Sequence, residues 1–179
     1  MGYQQVLEFW FAELTPADWW RKDAEIDRTI QQRFSALHRA ACAGECYSWR
    51  HSAKGRLAEI IVLDQFSRNI FRDSAAAFAA DGQALVLAQE ALRVQADKEL
   101  EVSLRAFMYM PYMHSESLAI QRASLKLFED LAQDNNLQFA IAHYGIIERF
   151  GRYPHRNAIL GRVSSPEELA FLQQPGSSF

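Results

Sequence analysis

Residues 53–72 read AKGRLAEIIVLDQFSRNIFR, a stretch with apolar side chains on nearly every face of a helix. At about 100° per residue, Leu57 and Ile61 lie on one side of this helix, and Leu63 and Phe66 lie on the other. A helix that is apolar all round is typical of a protein interior. The stretch therefore predicts a central, buried helix running roughly from Ala53 to Phe71.

The rest of the chain also has helical periodicity. Apolar residues recur at intervals of three and four, and no segment of useful length alternates with the period of a strand. The other main boundaries that we predict are a helix end near Gly44, helices over Asp81–Ala96 and Leu100–Met110, a break at Pro111, a helix capped by Ser115, a turn at Asp134–Asn136, a helix over Leu137–Phe150 and a short helix from Ser164-Ser165-Pro166. We predict one all-α domain over residues 1–179, with about seven to nine helices packed as antiparallel pairs.

The overall composition excludes several classes of protein. A net charge of −3 is atypical of a general nucleic-acid binder or a protein that binds acidic membranes. The N-terminus does not resemble a signal peptide, and no uncharged apolar run approaches the roughly 20 residues that cross a bilayer. Two cysteines in a chain without an export signal indicate reduced thiols. We predict a cytoplasmic protein without nucleic-acid or membrane partners, and its oligomeric state stays open.

Charged side chains interrupt the apolar central helix. Asp64, Arg68 and Arg72 follow one another at intervals of four, and Asn69 lies beside them. Buried charges are costly unless they are paired. One interpretation is an Asp64–Arg68 ion pair that locks the helix to a neighbour. The other is a polar cavity bordered by Arg68, Asn69 and Arg72, and the two interpretations are compatible.

A second polar region lies at residues 143–162, HYGIIERFGRYPHRNAILGR. Four arginines accompany a single acid there, Glu148. Guanidinium groups offer paired donors that suit carboxylates and phosphates. The stretch therefore predicts a site for a small anionic metabolite.

The histidines add possible acid–base or metal chemistry. His143 lies on the apolar stripe of its helix, where a hydrogen-bonded core histidine is the common alternative to a functional one. His114 and Glu116 begin another helix, where they suit either acid–base work or simple exposure beside a cap. With His155 they supply metal-ligand types, but without paired-histidine spacing. His38, Cys42 and Cys46 are four residues apart with His51 beyond, but Gly44 interrupts them and small buried thiols are the commoner outcome. We predict no metal and no cofactor.

The sequence contains three longer motifs, LDQFSRNIFR (63–72), MPYMHSE (110–116) and RFGRYPHRN (149–157). It also contains two shorter ones, SSPEE (164–168) and PGSSF (175–179). Together they resemble a bacterial family catalogued as domain of unknown function 924, over nearly the whole chain. The resemblance implies an all-helical fold like that of tetratricopeptide-repeat proteins, and it implies no substrate. Ser67 stands where many relatives are expected to carry proline.

These observations lead to three hypotheses of function. The first is a polar pocket for a phosphate or carboxylate, with acid–base chemistry if the protein is an enzyme. The second is a protein or peptide interaction module with a groove lined by aromatics such as Trp19 and Trp20. The third is a metal-dependent hydrolase built on the histidines and Glu116. Under the first, the predicted catalytic residues are His114, Glu116, His143 and His155, and the predicted ligand-binding residues are Asp64, Arg68, Asn69, Arg72, Arg152, Arg156, Asn157 and Arg162. We also predict that Phe179 docks its ring and carboxylate onto the body of the protein.

Overall fold

The computed structural model describes residues 1–178, and all regular secondary structure in this range is helical. The α-helices are α1 Tyr3–Glu8, α2 Ala24–Cys42, α3 Ala53–Ile61, α4 Ser67–Ile70, α5 Asp81–Arg93, α6 Val102–Met113, α7 Leu118–Leu131, α8 Asp134–Phe150 and α9 Pro166–Leu172. The prediction of an all-α fold is confirmed. The prediction for Phe179 lies outside the described residues.

Two π-helical turns lengthen the helices near the N-terminal half of the chain. Phe9–Glu13 continues α1, and Val62–Phe66 joins α3 to α4, so that residues 53–70 form one continuous helix. A π turn holds one residue more than an α turn, and such turns occur mostly as single insertions in α-helices. The central helix predicted from the sequence is therefore present, with a π turn in its middle.

The chain divides into two compact units. The first unit contains Met1–Arg72 and Ala76–Pro111, and the second contains Asp73–Ala75 and the chain from Tyr112 onward. The single domain predicted over residues 1–179 stays a prediction.

The core of the first unit forms around the central helix. Leu57, Ile61, Leu63 and Phe66 are all 0% exposed, in agreement with the all-round apolar pattern. Helices α1, α2 and α5 pack around this segment. The ring of Phe66 lies 4.8 Å from that of Phe34, centroid to centroid. Burial of such side chains stabilises the fold by about 1.5–3 kcal/mol each.

The second unit contains a smaller core. Helices α7 and α8 pack against each other, and Ile146, Ile147 and Tyr153 are buried at the centre of a cluster that Phe150 and Phe171 help to cover. Ser165 caps α9 as the sequence predicts: its side chain accepts from the backbone N–H of Glu168, and the Glu168 carboxylate accepts from the N–H of Ser165. Within the described residues, no helix has the length and apolarity that a bilayer span requires.

Several helix boundaries differ from the prediction. Ser115 does not cap a helix, because α7 begins at Leu118 with Ser117 as its N-cap, so His114 and Glu116 precede the helix. The Ser115 hydroxyl accepts from the N–H of Ser117 at 3.2 Å.

Pro111 lies inside α6, which continues to Met113. Proline removes one backbone hydrogen bond, but Tyr112 and Met113 are buried, and their burial favours the continued turn. The predicted turn at Asp134–Asn136 is instead the first turn of α8. An acid in a first turn interacts favourably with the helix dipole.

Candidate functional site

In the first unit, the expected Asp64–Arg68 ion pair is present and extends to a third residue. The Arg68 Nη1 lies 3.1 Å from the Asp64 carboxylate, and Arg68 also donates to both oxygens of Asp81 on α5, at 3.0 and 3.1 Å. Asp64 is 1% exposed. Arg68 therefore neutralises a buried acid and connects the central helix to α5.

Arg72 and Asn69 share another partner, Asp27 on α2. Arg72 donates to both carboxylate oxygens of Asp27, through Nη2 at 2.6 Å and through Nε. The Asn69 amide donates to the same carboxylate at 2.8 Å. An anion binding to Arg72 at this place would compete with Asp27. The four predicted ligand-binding residues of this unit thus connect its helices.

In the second unit, Glu116 anchors the loop that follows α8. Its carboxylate accepts two bonds from Arg162, at 2.7 and 2.9 Å, and one from the backbone N–H of Tyr153 at 2.7 Å. Burial alone would raise the pKa of Glu116, but these hydrogen bonds and the Arg162 charge outweigh it and hold the pKa below its ordinary value. The carboxylate is therefore ionised at neutral pH and fixes both ends of residues 153–162.

Arg152 and Asn157 secure the start of α9. Arg152 donates to both oxygens of Glu168, through Nε at 2.7 Å and Nη2 at 2.8 Å. The Asn157 amide donates to the Ser164 hydroxyl at 3.0 Å. The hydrogen bonds from Arg152, together with the Ser165 N–H, lower the pKa of Glu168 to about 2. Through these contacts, Arg152 and Asn157 hold the loop in position.

The predicted histidines converge on a tyrosine. The ring centroids of His114 and His143 are 6.3 Å apart, and the Tyr153 ring lies 5.6 Å from those of both His143 and His155. The Arg156 guanidinium carbon lies 4.6 Å from the centroid of Tyr153, and Arg156 donates to the carbonyl of His114 at 3.1 Å. We call these five residues, His114, His143, Tyr153, His155 and Arg156, the ring cluster.

Two imidazoles of the ring cluster are neutral at pH 7. Burial, reinforced by the neighbouring imidazole of His114, lowers the pKa of His143 to about 3. Burial and the Arg156 charge lower the pKa of His155 to about 4. The carbonyl of Phe139 lies 2.7 Å from Nδ1 of His143, which places the proton on Nδ1 and leaves Nε2 as an acceptor.

Sequence reasoning missed two residues of this region, Tyr153 and Gln121. Gln121 is 0% exposed, and its amide nitrogen lies 2.7 Å from the carbonyls of both Met113 and Ser115 and 2.8 Å from the Tyr153 hydroxyl. The available signal for Gln121 was a polar residue on the apolar stripe of its helix. No pattern in the sequence pointed to Tyr153, because the position of an aromatic residue among arginines does not indicate its role.

The cysteines lie in the first unit. Cys42 and Cys46 are free thiols, and Nδ1 of His38 lies 3.7 Å from the sulfur of Cys42. The other ring nitrogen of His38 lies 2.8 Å from the Ser67 hydroxyl. Among residues 1–178, no group of three or more His, Cys, Asp or Glu side chains is arranged to hold a metal ion.

Comparisons with known proteins agree with this architecture. A solved structure of a protein of unknown function from Agrobacterium tumefaciens superposes with a TM-score of 0.91 at 38% sequence identity, covering 96% of each chain. No curated protein matches the sequence. The family described as bacterial protein of unknown function DUF924 matches residues 6–176, and the chain therefore belongs to this family.

Proposed function

We propose that the second unit binds a small anion, a phosphate or a carboxylate, at the ring cluster. The observation that carries this proposal is the position of Arg156, which is only 7% exposed and lies among three histidines. A guanidinium in a region of low dielectric attracts an anion more strongly than one in water, and its planar fork suits a carboxylate or a phosphate.

The neutral imidazoles complement this charge. A neutral imidazole donates through one ring nitrogen and accepts through the other, so it can contact an anion or take a proton from a bound substrate. If the protein is an enzyme, we assign acid–base chemistry to His143 or His155 and the stabilisation of substrate charge to Arg156.

Glu116, Arg152, Asn157 and Arg162 enter the proposal as positioning residues. Their hydrogen bonds fix the loop that carries Tyr153, His155 and Arg156. In the same way, we assign Asp64, Arg68, Asn69 and Arg72 to the integrity of the first unit. The proposed site is thus narrower than the set of residues expected from the sequence.

A thermal-shift screen tests the proposal directly. The probes are inorganic phosphate, pyrophosphate and citrate, compared with sodium chloride of equal ionic strength. A ligand at 100 times its Kd adds about 2.7 kcal/mol, which raises the Tm by about 5–11 °C for a chain of this size. We expect Arg156→Gln to lose the shift. Arg149→Gln is the matched control, because Arg149 lies in the same stretch and pairs with exposed Glu167. An equal shift in wild type and Arg156→Gln would contradict the proposal.

The second candidate function is an interaction module in the first unit. Trp20 is 61% exposed, and its ring stacks on Phe107 at 6.0 Å with an interplanar angle of 7°. Exposed tryptophans are enriched at protein interfaces. This function predicts a partner whose binding is lost in Trp20→Ser and kept in Val163→Ser, where the side chain is 87% exposed.

The third candidate, a metal-dependent hydrolase, is tested by elemental analysis of the purified protein and by assays with added divalent metals.

We also propose a cytoplasmic location and a tetratricopeptide-like arrangement of helix pairs. The location is supported by the two free thiols, since reducing compartments preserve them. The arrangement is supported by the packing of α7 against α8 across a connection of two residues, Ala132 and Gln133. Fractionation of cells, with antibody detection of the chain, tests the location.

A further inference from the structure

The helix α8, Asp134–Phe150, carries apolar side chains on the side that faces solvent. Phe139 and Ile141 are 55% and 46% exposed, and Ala142 and Gly145 are exposed beside them. Exposed apolar side chains that occur singly are normal on a protein surface, whereas contiguous patches of them are typical of interaction sites. We call the solvent-facing side of this helix the outer face, and it consists of Asp134, Gln138, Phe139, Ile141, Ala142, Gly145 and Arg149.

The two charged residues of the outer face lie at its opposite ends. Asp134 is in the first turn of α8 and Arg149 is in the last, and both are exposed. At about 100° per residue they are about 60° apart around the helix axis, so both belong to one side of the helix. Their midpoint along the chain lies between Ile141 and Ala142. The outer face is therefore complementary in charge to a copy of itself that runs in the opposite direction.

We propose that α8 packs against α8 of a second copy of this chain, antiparallel, through the outer face. A two-fold axis at the centre of the outer face places Asp134 of each copy opposite Arg149 of the other. Such an interface uses the same surface on both copies. A parallel pair would place Asp134 against Asp134 and Arg149 against Arg149, so the charges select the antiparallel arrangement.

Small side chains near the centre of the outer face allow the two helices to approach each other. Ala142 and Gly145 lie about one turn apart, and the distance between packed helix axes depends on the side chains at the contact. Ile141 of each copy then packs over the small residues of the other copy. Its removal from water stabilises the dimer.

Arg149 can bind Asp134 of a second copy in addition to its partner within the chain. It donates to Glu167 through Nε and Nη2, in a pair whose side chains are 47% and 64% exposed. A guanidinium has five N–H donors, so a second carboxylate can bind. In the same arrangement Glu148 lies opposite the neutral Asn135, so no second acid stands against it.

A single helix is small for an interface, so we expect a weak dimer. Each partner of a standard interface buries about 800 Å², which is more than one face of a helix about 25 Å long offers. Sedimentation equilibrium of the whole chain, from roughly 10 μM to 1 mM, measures the dissociation constant. We expect the mass to rise from that of a monomer toward that of a dimer in this range. A mass that stays monomeric throughout would overturn the proposal.

Charge reversal tests the antiparallel arrangement. Alone, Asp134→Arg and Arg149→Asp each bring two like-charged pairs together, and each should raise the dissociation constant about tenfold or more. Mixed in equal amounts, the two variants restore both pairs of opposite charge and form a heterodimer with about the wild-type dissociation constant. Circular dichroism checks that both variants fold. Unchanged dimers of the single variants, or a mixture that associates no more tightly than its components, would overturn the proposal.

A substitution at the centre of the outer face gives a second test, which leaves the charges at its ends in place. Ile141→Lys brings two ammonium groups close to the two-fold axis and should raise the dissociation constant about tenfold or more. Leu169→Lys is the matched control, because Leu169 is 54% exposed and lies on α9, outside the outer face. Arg93→Asp, in the last turn of α5, controls for the reversal of an exposed arginine. Equal dissociation constants for Ile141→Lys and both controls would contradict the proposed interface.

Discussion

The Glu59 carboxylate, 0% exposed, receives two hydrogen bonds of 2.7 Å from the Arg50 guanidinium, through Nε and Nη2. Arg50 lies in the turn before α3, and Glu59 lies within α3. The pair thus joins the central helix of the first unit to the segment that precedes it. A buried carboxylate with a bidentate partner tolerates the loss of that partner poorly.

We therefore expect Arg50→Met to lower the free energy of unfolding by about 3 kcal/mol or more, because an uncompensated buried charge remains. Urea denaturation at pH 7 measures the loss. The matched control is Arg93→Met, which breaks an exposed pair with Glu90 and should cost no more than about 1 kcal/mol. Equal losses in the two variants would show that the buried Arg50–Glu59 pair contributes no more to stability than the exposed Arg93–Glu90 pair.

Two glycines should respond to alanine with opposite signs. A Cβ at Gly55 would lie 2.0 Å from the carbonyl oxygen of Trp49, whereas a Cβ at Gly145 meets nothing within 4 Å. We expect Gly55→Ala to destabilise the fold by about 2–3 kcal/mol, because the backbone must shift. Gly145→Ala, within α8, should stabilise it by about 0.5–1 kcal/mol. The order of the two midpoints in urea checks this prediction, and a gain of stability in Gly55→Ala would contradict it.

The connection between α7 and α8 offers a stabilising substitution. Ala132 has φ 55°, in the left-handed region where side chains with a Cβ are strained. We expect Ala132→Gly to raise the free energy of unfolding by about 0.5–1 kcal/mol. Gly151 has φ 67° after α8, so Gly151→Ala should lower it by about 1 kcal/mol. Thermal unfolding of the two variants measures both effects, and shifts of the same sign would refute the explanation.

Acid should destabilise the second unit through its buried histidines. The folded-state pKa values of about 3 for His143 and about 4 for His155 lie below the ordinary 6.5. Below pH 6.5 the unfolded chain therefore binds protons that the folded chain refuses, and stability falls as the pH falls toward 4. Ionised Glu168 also contributes stability above pH 4.5. This contribution is lost at lower pH, as the pH falls toward the folded-state pKa of about 2.

Urea denaturation at pH 7 and pH 5 measures this dependence, to which each such histidine contributes at most about 1.4 kcal/mol per pH unit. His143→Gln should lose less stability than wild type between the two pH values. Tyr144→Phe, a change at the exposed hydroxyl that donates to Glu148, should behave as wild type. An identical dependence in His143→Gln and wild type would mean that this histidine does not cause the loss.

Local patterns in the sequence predicted much of the fold. The all-round apolar stretch gave a buried central helix, and Ser165 before Pro166 marked the start of α9, because period and cap chemistry are properties of neighbouring residues. Pro111 was predicted to end a helix, but α6 continues to Met113. Met113 is buried through tertiary packing, and a proline in the sequence carries no information about that packing.

The candidate site was less predictable, because its roles depend on distant partners. The sequence identified Arg72 and Arg152 as anion-binding side chains, but the anions that they contact are Asp27 and Glu168 of the same chain. Asp27 is separated from Arg72 by 45 positions, and no local spacing connects them. The sequence grouped the three histidines as candidates for one site, but only the fold places the Tyr153 ring between two of them.

The π turn at Val62–Phe66 sets the phase of the helical segment that carries Arg68 and Arg72. Its extra residue changes the angular position of every later residue by about 100° relative to a regular α-helix, and from these positions Arg68 contacts Asp81 on α5 and Arg72 contacts Asp27 on α2. Deleting one residue from this turn would restore a regular α-helix and rotate every later side chain away from its acid. The number of residues in this turn is therefore constrained, because the contacts of later side chains depend on it. The identities of the side chains in the turn do not reveal this constraint.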